Sequence, residues 1–149
     1  MIRDDLTSAV RAALVAAGLP DPPAGVELNP PKQRDHGDWA TNVALQLAKV
    51  AGRPPRDVAA SIAAALEAAP PAHLERVEIA GPGFLNLHLA PTWLHDVLRA
   101  VVAAGDTYGR GDALAGRRIN LEFVSANPTG PLHAGGGRWV AVGDAIANL

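Results

Sequence analysis

The residues best suited to chemistry lie near the C-terminal end of the sequence, in INLEFVSANPTGPLHAGGGRWVAVGDAIANL, residues 119–149. The apolar run at 119–124 predicts a buried strand that delivers Glu122, Ser125 and Asn127 to its C-terminal end. A loop rich in proline and glycine follows, and HAGGG leads into a segment of helical period from about Arg138. Because the first amides of a helix are unpaired and that end is positively polarised, such a loop favours an anion such as phosphate.

The glycine-rich loop on its own leaves several interpretations open. A dinucleotide-binding loop would carry GxGxxG directly after the strand, and a P-loop would carry GxxxxGK followed by Ser or Thr; the sequence has neither. The glycines can also serve only to turn the chain. Glu122 can likewise be a strand-end carboxylate paired with Arg117 or Arg118, and from the residues alone this ion pair is the better explanation.

Three segments, taken in order, resemble the arginyl-tRNA synthetases, a class I synthetase family. EFVSANPTGPLHAGGGR (122–138) is similar to the catalytic signature, while HGDWATNVALQLAK (36–49) and EIAGPGFLNLHL (78–89) resemble the two characteristic segments of the N-terminal tRNA-binding domain. The resemblance implies an arginine–tRNA ligase, which activates arginine with ATP, accompanied by Mg²⁺, and transfers it to the 3′ end of its tRNA. The implied partners are therefore tRNA, arginine and ATP.

The resemblance also implies roles for individual residues. The arginine pocket would be lined by Glu122, Ser125 and Asn127. A carboxylate can pair bidentately with a guanidinium, and the other two can bind the ammonium or carboxylate of the substrate. His133 matches the first signature histidine, implied to be a catalytic contact to the ATP phosphates, and Gly135 matches the glycine against which adenine packs. Gly136, also assigned to ATP binding, replaces the second histidine, and the sequence leaves open whether the backbone amides there suffice.

A second candidate site lies in the segment 83–89, where alternation places three leucines on one face and Phe84, Asn86 and His88 on the other. Phe84 on an exposed face could stack on an unpaired base while Asn86 reads its edge. The pattern alone favours a Phe covered by a neighbouring helix. The resemblance implies contact with the D-loop of the tRNA, so we assign Phe84 and Asn86 to tRNA binding.

The elements that must position these residues follow from periodicity. Helices are predicted from Leu6 to Ala17 and over 38–51, 54–69 and 91–104, the last with Leu94, Val97, Leu98 and Val101 facing inward. We expect Asp38 to cap the second helix and Trp39 to pack on its inner face. Val26–Leu28 could be a short strand, and two further strands flank the turn AGPG at 80–83.

The predicted fold class is α/β. An α+β N-terminal tRNA-binding domain of helices on a small antiparallel sheet would span 1–112, and the first β–loop–α of a Rossmann catalytic domain would occupy 113–149. The helical pattern Trp139, Val142, Ile146 and Leu149 is still running at the last residue, which suggests a truncation. We therefore expect the 149 residues alone to be inactive. The alternatives are a non-catalytic tRNA-binding module, a truncated paralogue, or a nucleotide-binding protein of another class.

Composition narrows the remaining possibilities. The net charge of −2 excludes a strongly basic surface overall, and the absence of cysteine excludes disulfides, thiolate zinc sites and a cysteine nucleophile. The histidines have no ligand-like spacing, so no bound metal or organic cofactor is expected. The N-terminus MIRDDLTSAV lacks the pattern of a signal peptide, and no apolar run approaches the ~20 residues of a membrane span. We expect a cytoplasmic protein with no membrane partner, and a monomer.

Overall fold

The computed structural model describes residues 2–127, 129–131 and 133–148, and the chain divides into two compact units, Met1–Tyr108 and Gly109–Leu149. The helices are α1 (Ile2–Ala16), α2 (Val43–Ala51), α3 (Pro55–Ala68), α4 (Thr92–Ala104) and α5 (Ala134–Ala147). The strands are β1 (Trp39–Thr41), β2 (Leu74–Ala80) and β3 (Phe84–Leu89), and two 3₁₀ turns lie at Arg34–His36 and Gly105–Thr107. The first unit contains the sheet and α1 to α4, and the second contains α5.

The strands form an antiparallel sheet in the order β1-β3-β2. β2 and β3 are joined by the turn at 81–83, which confirms the two strands and the turn predicted from AGPG. β3 is the central strand, and Asn86 lies opposite both Ala40 of β1 and Glu78 of β2. The side chains of β3 therefore determine what each face of the sheet presents.

One face of the sheet packs on α2 and α3, α1 packs on α3, and this layer is the core of the first unit. Its largest fully buried side chains come from all three helices, from β3 and from residue 28: Leu6, Val10, Leu14, Leu28, Val43, Leu47, Val58, Ile62, Leu66, Leu85 and Leu87. Each such side chain contributes about 1.5–3 kcal/mol by leaving water. The helical spacing predicted for the first and third helices is confirmed, and so is the leucine face of β3.

The second helix begins later than predicted. Residues Trp39–Thr41 form strand β1, which pairs with β3, and α2 starts at Val43. Asp38 is therefore not a helix cap: its backbone N–H donates to Leu87 O at 2.9 Å, and its carboxylate accepts from Leu89 N–H at 2.8 Å. The spacing of Trp39 and the apolar residues after it fits a helix, but pairing with β3 satisfies the backbone of residues 39–41 instead.

Two further expectations about the first unit are corrected. Val26 and Leu28 are buried but form no strand; only Asn29 makes an isolated bridge, to Ala40. On α4, Leu94 and Leu98 are exposed and not inward, the latter at 61% of its surface. Periodicity identifies which residues share a helix face but not whether a partner covers that face.

In the second unit, the apolar segment 119–124 was predicted to be a strand, but the described residues form no strand ladder there. The physical reason is that a strand is held by hydrogen bonds to a neighbouring strand, and the described residues of this unit supply none. Ile119 is accordingly exposed. α5 begins at Ala134, before the predicted start near Arg138, and Leu149 lies outside the described residues.

Candidate functional site

A pocket of about 620 Å³ lies over the sheet face that the three helices leave uncovered. Its walls come from segment 29–36, from the β1 end at 40–42, and from the β2–β3 turn at 80–82. Phe84 and Asn86 of β3 also line it. The structure therefore brings the two residues predicted to bind tRNA together in one concave site, which is the usual form of a ligand site.

The two residues occupy different positions in this pocket. Phe84 is 41% exposed, as expected for a residue on an open face. Asn86 was expected on the same open face, but it is only 3% exposed, although it lines the same pocket. Among the described residues, the Asn86 Nδ2 group has no hydrogen-bond partner. Leaving a buried donor unpaired costs about 1–3 kcal/mol. Because Nδ2 is itself fully buried, a ligand that accepts from it gains that interaction only when the side chain turns or the surrounding chain moves.

The chain just before β1 is fixed to β3 by close backbone contact. Gly37 has φ +92°, and a Cβ at that position would lie 2.7 Å from the Leu87 carbonyl oxygen and 3.3 Å from His88 Cδ2. The next residue, Asp38, makes the two hydrogen bonds to β3 described above. Gly37 and Asp38 therefore hold the chain beside β3 directly after His36, which lines the pocket.

Charged groups follow the same sheet face beyond Asn86. Arg76 Nη2 lies 3.0 Å from His88 Nδ1, and Glu78 Oε2 lies 3.3 Å from His88 Nε2. Lys32 lines the pocket in segment 29–36. The face thus combines one aromatic wall, one buried amide donor and nearby cations, a combination suited to a nucleobase with its phosphates.

A second pocket, of about 500 Å³, lies within the second unit. Of the residues assigned to arginine or ATP, it brings together Glu122, Ser125, His133 and Gly136, whereas Asn127 and Gly135 are not among its lining. The Ser125 hydroxyl donates to Glu122 Oε1 at 2.6 Å. The carboxylate is therefore held by the serine and not by Arg117 or Arg118, the partners considered from sequence.

His133 caps α5 and orders the glycines that follow it. Its Nδ1 accepts from the Gly136 N–H at 3.2 Å, and its carbonyl accepts from the Gly137 N–H at 3.0 Å. Because Nδ1 is an acceptor here, a neutral imidazole carries its proton on Nε2. A Cβ on Gly135 would lie 3.0 Å from His133 Cε1, so the imidazole lies directly against that glycine. The Gly136 N–H is already hydrogen-bonded inside the loop, to His133 Nδ1.

Sequence reasoning missed one contact in this unit. Gly143 is buried in α5, and the Phe123 ring occupies the space that a side chain there would need. The available signal was a glycine in the interior of a helical pattern, where glycine is unfavourable by about 1 kcal/mol and often marks close packing. Phe123 and Gly143 both line the second pocket.

A polar cluster outside both pockets attaches α4 to the start of β2. His73, with φ +66°, lies 2.8 Å from the Thr92 hydroxyl and, through its other ring nitrogen, 2.8 Å from Asp96 Oδ2. Arg99 donates to Asp96 Oδ1 at 2.6 Å. The hydrogen bonds from Arg99 and then from His73 lower the pKa of the Asp96 carboxyl below its usual value.

The described residues contain neither a metal-binding cluster nor a membrane-spanning helix. No group of three or more His, Asp or Glu side chains there is arranged to hold a metal ion. None of the helices in that part of the chain has the length and hydropathy that crossing a bilayer requires.

Known proteins resemble this chain along its whole length. The arginine–tRNA ligases of Kineococcus radiotolerans and Micrococcus luteus are each 53% identical to it, over 99% and 97% of this chain, and the chain spans 26% of the length of either relative. The Thermus thermophilus arginyl-tRNA synthetase structure superposes with a TM-score of 0.54 at 29% identity, covering 99% of this chain and 23% of that one. Arginyl-tRNA synthetase from Plasmodium falciparum gives a TM-score of 0.63 at 14% identity, over 97% of this chain and 27% of that one, and shows the shared fold.

The matched family covers more than half of the chain. Residues 4–89, which include α1 to α3 and all three strands, match the family described as the arginyl tRNA synthetase N terminal domain. Together with the relatives, this match establishes that the chain belongs to the arginyl-tRNA synthetase family and carries its N-terminal domain.

Proposed function

We propose that the pocket over the outer sheet face binds an unpaired base in the D-loop of an arginine-accepting tRNA. The observation that carries this proposal is the buried Asn86 amide, which lacks a partner among the described residues beside a half-exposed Phe84 ring. Stacking on Phe84 is tolerant of base identity, whereas a hydrogen bond from Asn86 requires an acceptor on the base edge. The base must be unpaired, because a base inside a duplex has neither a free face to stack on Phe84 nor a free edge for Asn86.

The net charge of −2 leaves room for local cations beside the pocket. Lys32 lines the pocket and Arg76 lies on the same sheet face, while the Glu78 carboxylate lies opposite Asn86 and offsets part of their charge. Phosphate contacts by such cations fix the register of a nucleic acid, and the pocket then distinguishes the base.

The test is tRNA binding by the Phe84→Ala variant. Removing one base–aromatic stack costs about 1–3 kcal/mol, so we expect tRNA affinity to fall by about 5- to 150-fold in a filter-binding titration. The melting temperature should change little, because the ring is half exposed. Val15→Ala, which truncates an exposed apolar residue on α1, is the matched control. Wild-type affinity in a folded Phe84→Ala protein would refute the proposal.

The second unit is proposed to begin a Rossmann-type catalytic domain at residue 113, following a tRNA-binding domain over 1–112. Support comes from the hydrogen bond that joins Glu122 to Ser125 in the pocket that also holds His133. In this proposal Glu122, Ser125 and Asn127 bind arginine. His133, Gly135 and Gly136 would hold ATP with its Mg²⁺. The N–H group of His133 Nε2 would donate a hydrogen bond to a phosphate oxygen and keep its proton.

The proposed reaction of the whole protein is the ATP-dependent ligation of arginine to tRNA, in the cytoplasm and by a monomer. The alternative is a non-catalytic tRNA-binding module, which is compatible with a base pocket formed entirely by residues of the first unit. Arginine-dependent ATP–pyrophosphate exchange in the presence of tRNA tests this point. We expect no exchange from the 149 residues alone, and measurable exchange would contradict that expectation.

A further inference from the structure

We infer that Arg56, at the start of α3, is a positioning residue for the base pocket. It holds the β2–β3 turn in place and thereby fixes the ring of Phe84, without touching the RNA itself. The inference rests on the proposed function of the pocket, and it adds a residue that lies outside the pocket lining.

The first observation is a hydrogen bond between two parts of the chain that are distant in sequence. Arg56 Nη1 donates to the Gly81 carbonyl oxygen at 2.5 Å. Hydrogen bonds from a charged donor are shorter and stronger than neutral ones. The bond ends on the turn that forms one wall of the pocket, since residues 80–82 belong to its lining.

The second observation is that the same turn rests directly on the helix start. Gly83 has φ +141°, and a Cβ there would lie 3.0 Å from the Pro55 carbonyl carbon, Cβ and oxygen. The absence of a side chain at Gly83 therefore lets the turn approach α3, and Arg56 fastens it at the other end of the turn.

The helix is a rigid support for this contact. Val58, Ala59 and Ile62, just beyond the first turn of α3, are completely buried in the core. Phe84 follows the turn immediately, and its ring is the nearest group to the side-chain position of Gly81: a Cβ there would lie at van der Waals distance, 4.0 Å, from Phe84 Cδ2. A fixed turn thus holds the ring in its binding orientation before RNA arrives, which avoids an ordering cost during binding.

Direct contact of Arg56 with a tRNA phosphate is the competing explanation, because the side chain is exposed. The two explanations differ in how the effect of Arg56 depends on Phe84 and on salt concentration. A positioning residue acts only through Phe84 and leaves the salt dependence of binding unchanged. A phosphate contact acts independently of Phe84, and its removal lowers the slope of log affinity against log salt by about 0.7–1.

The experiment is a double-mutant cycle on the full chain, with an arginine-accepting tRNA transcript as the probe and binding measured at several salt concentrations. Arg56→Gln should weaken binding on the order of 3- to 10-fold, the loss of one ordinary polar interaction. In a Phe84→Ala background the same change should have less than about a twofold effect, because coupled residues are not additive. The salt slope should stay as in the wild type.

The matched control is Arg53→Gln. Arg53 is also exposed near the start of α3, but it bonds to Asp57 O at 3.1 Å and Ser61 Oγ at 2.7 Å and not to the turn. Arg53→Gln removes the same charge as Arg56→Gln but leaves the turn untouched. The Arg53→Gln protein should therefore bind tRNA as the wild type does. Arg56→Met, which keeps the aliphatic stem, gives the same prediction if the glutamine variant folds poorly.

Three results would overturn the inference: equal effects of the Arg53 and Arg56 changes, additivity of Arg56→Gln with Phe84→Ala, or a reduced salt slope in Arg56→Gln. The last two together would identify a phosphate contact instead. Unchanged binding by Phe84→Ala alone would refute the function of the pocket, which is a separate failure and is visible in the same cycle.

Discussion

Gly37 lies against the central strand just before β1, and Gly37→Ala should strongly destabilise the first unit. The new Cβ would lie 2.7 Å from the Leu87 carbonyl oxygen, at a φ of +92°. Left-handed backbone costs a non-glycine residue about 1–2 kcal/mol. Overpacking against a strand backbone costs about 1–3 kcal/mol more. The expected loss is therefore about 2–5 kcal/mol, which lowers the melting temperature by at least about 10 °C in a domain of this size.

Gly52→Ala separates the two contributions. Gly52 ends α2 with φ +61°, and a Cβ there would meet nothing within 4 Å. This variant should lose only about 1 kcal/mol, from the backbone conformation alone. Thermal unfolding followed by circular dichroism, with urea titrations to give free energies, measures both variants. Equal losses in Gly37→Ala and Gly52→Ala would show that the chain relaxes at residue 37, and the close contact would not hold the pocket wall.

Two further changes test the polar contacts of the first unit. Asp38→Ala leaves the Leu89 N–H without its acceptor, and we expect a loss of about 1–3 kcal/mol in urea unfolding; an unchanged midpoint would contradict this. For Asp96, Arg99 and then His73 lower the folded-state pKa, so its contribution is present above the unfolded pKa of about 3.9 and is lost as pH falls through the folded value. Asp96→Asn should therefore lower the melting temperature slightly at pH 7 and not at low pH, and an equal decrease at both pH values would rule this out.

The elements that sequence predicted well are those whose pattern is repeated and local. The leucines of β3 alternate without interruption, and the prolines and glycines around 54 and 81–83 mark a helix start and a turn. Trp39 was misassigned because Trp39, Val43 and Leu47 are spaced as on a helix, whereas the strand at 39–41 exists only through pairing with β3. Three residues carry too little periodicity to overrule that spacing.

Sequence predicted that Phe84 and Asn86 share one face of the sheet, but not that Asn86 is buried there. Phe84 and Asn86 followed from alternation and resemblance, yet the pocket also needs residues of segment 29–36, where Pro30 and Pro31 interrupt any period. In the second unit, the apolar character of residues 119–124 was recognised, but a strand also needs a neighbour, which no single segment encodes. Arg56 had no sequence signal at all, since its partner is a backbone carbonyl of a distant turn.

The placement of β3 between β1 and β2 also has a kinetic consequence. The β2–β3 hairpin closes over a short turn. Thr41 and its partner Leu85, in contrast, are separated in sequence by α2, α3 and β2. Non-local pairing requires the larger loss of chain entropy and is the slower step. Segment 29–36 is attached through that late pairing, by the bridge from Asn29 to Ala40. A refolding chain should therefore acquire its hairpin before its pocket, and RNA binding should appear only with the final phase of refolding.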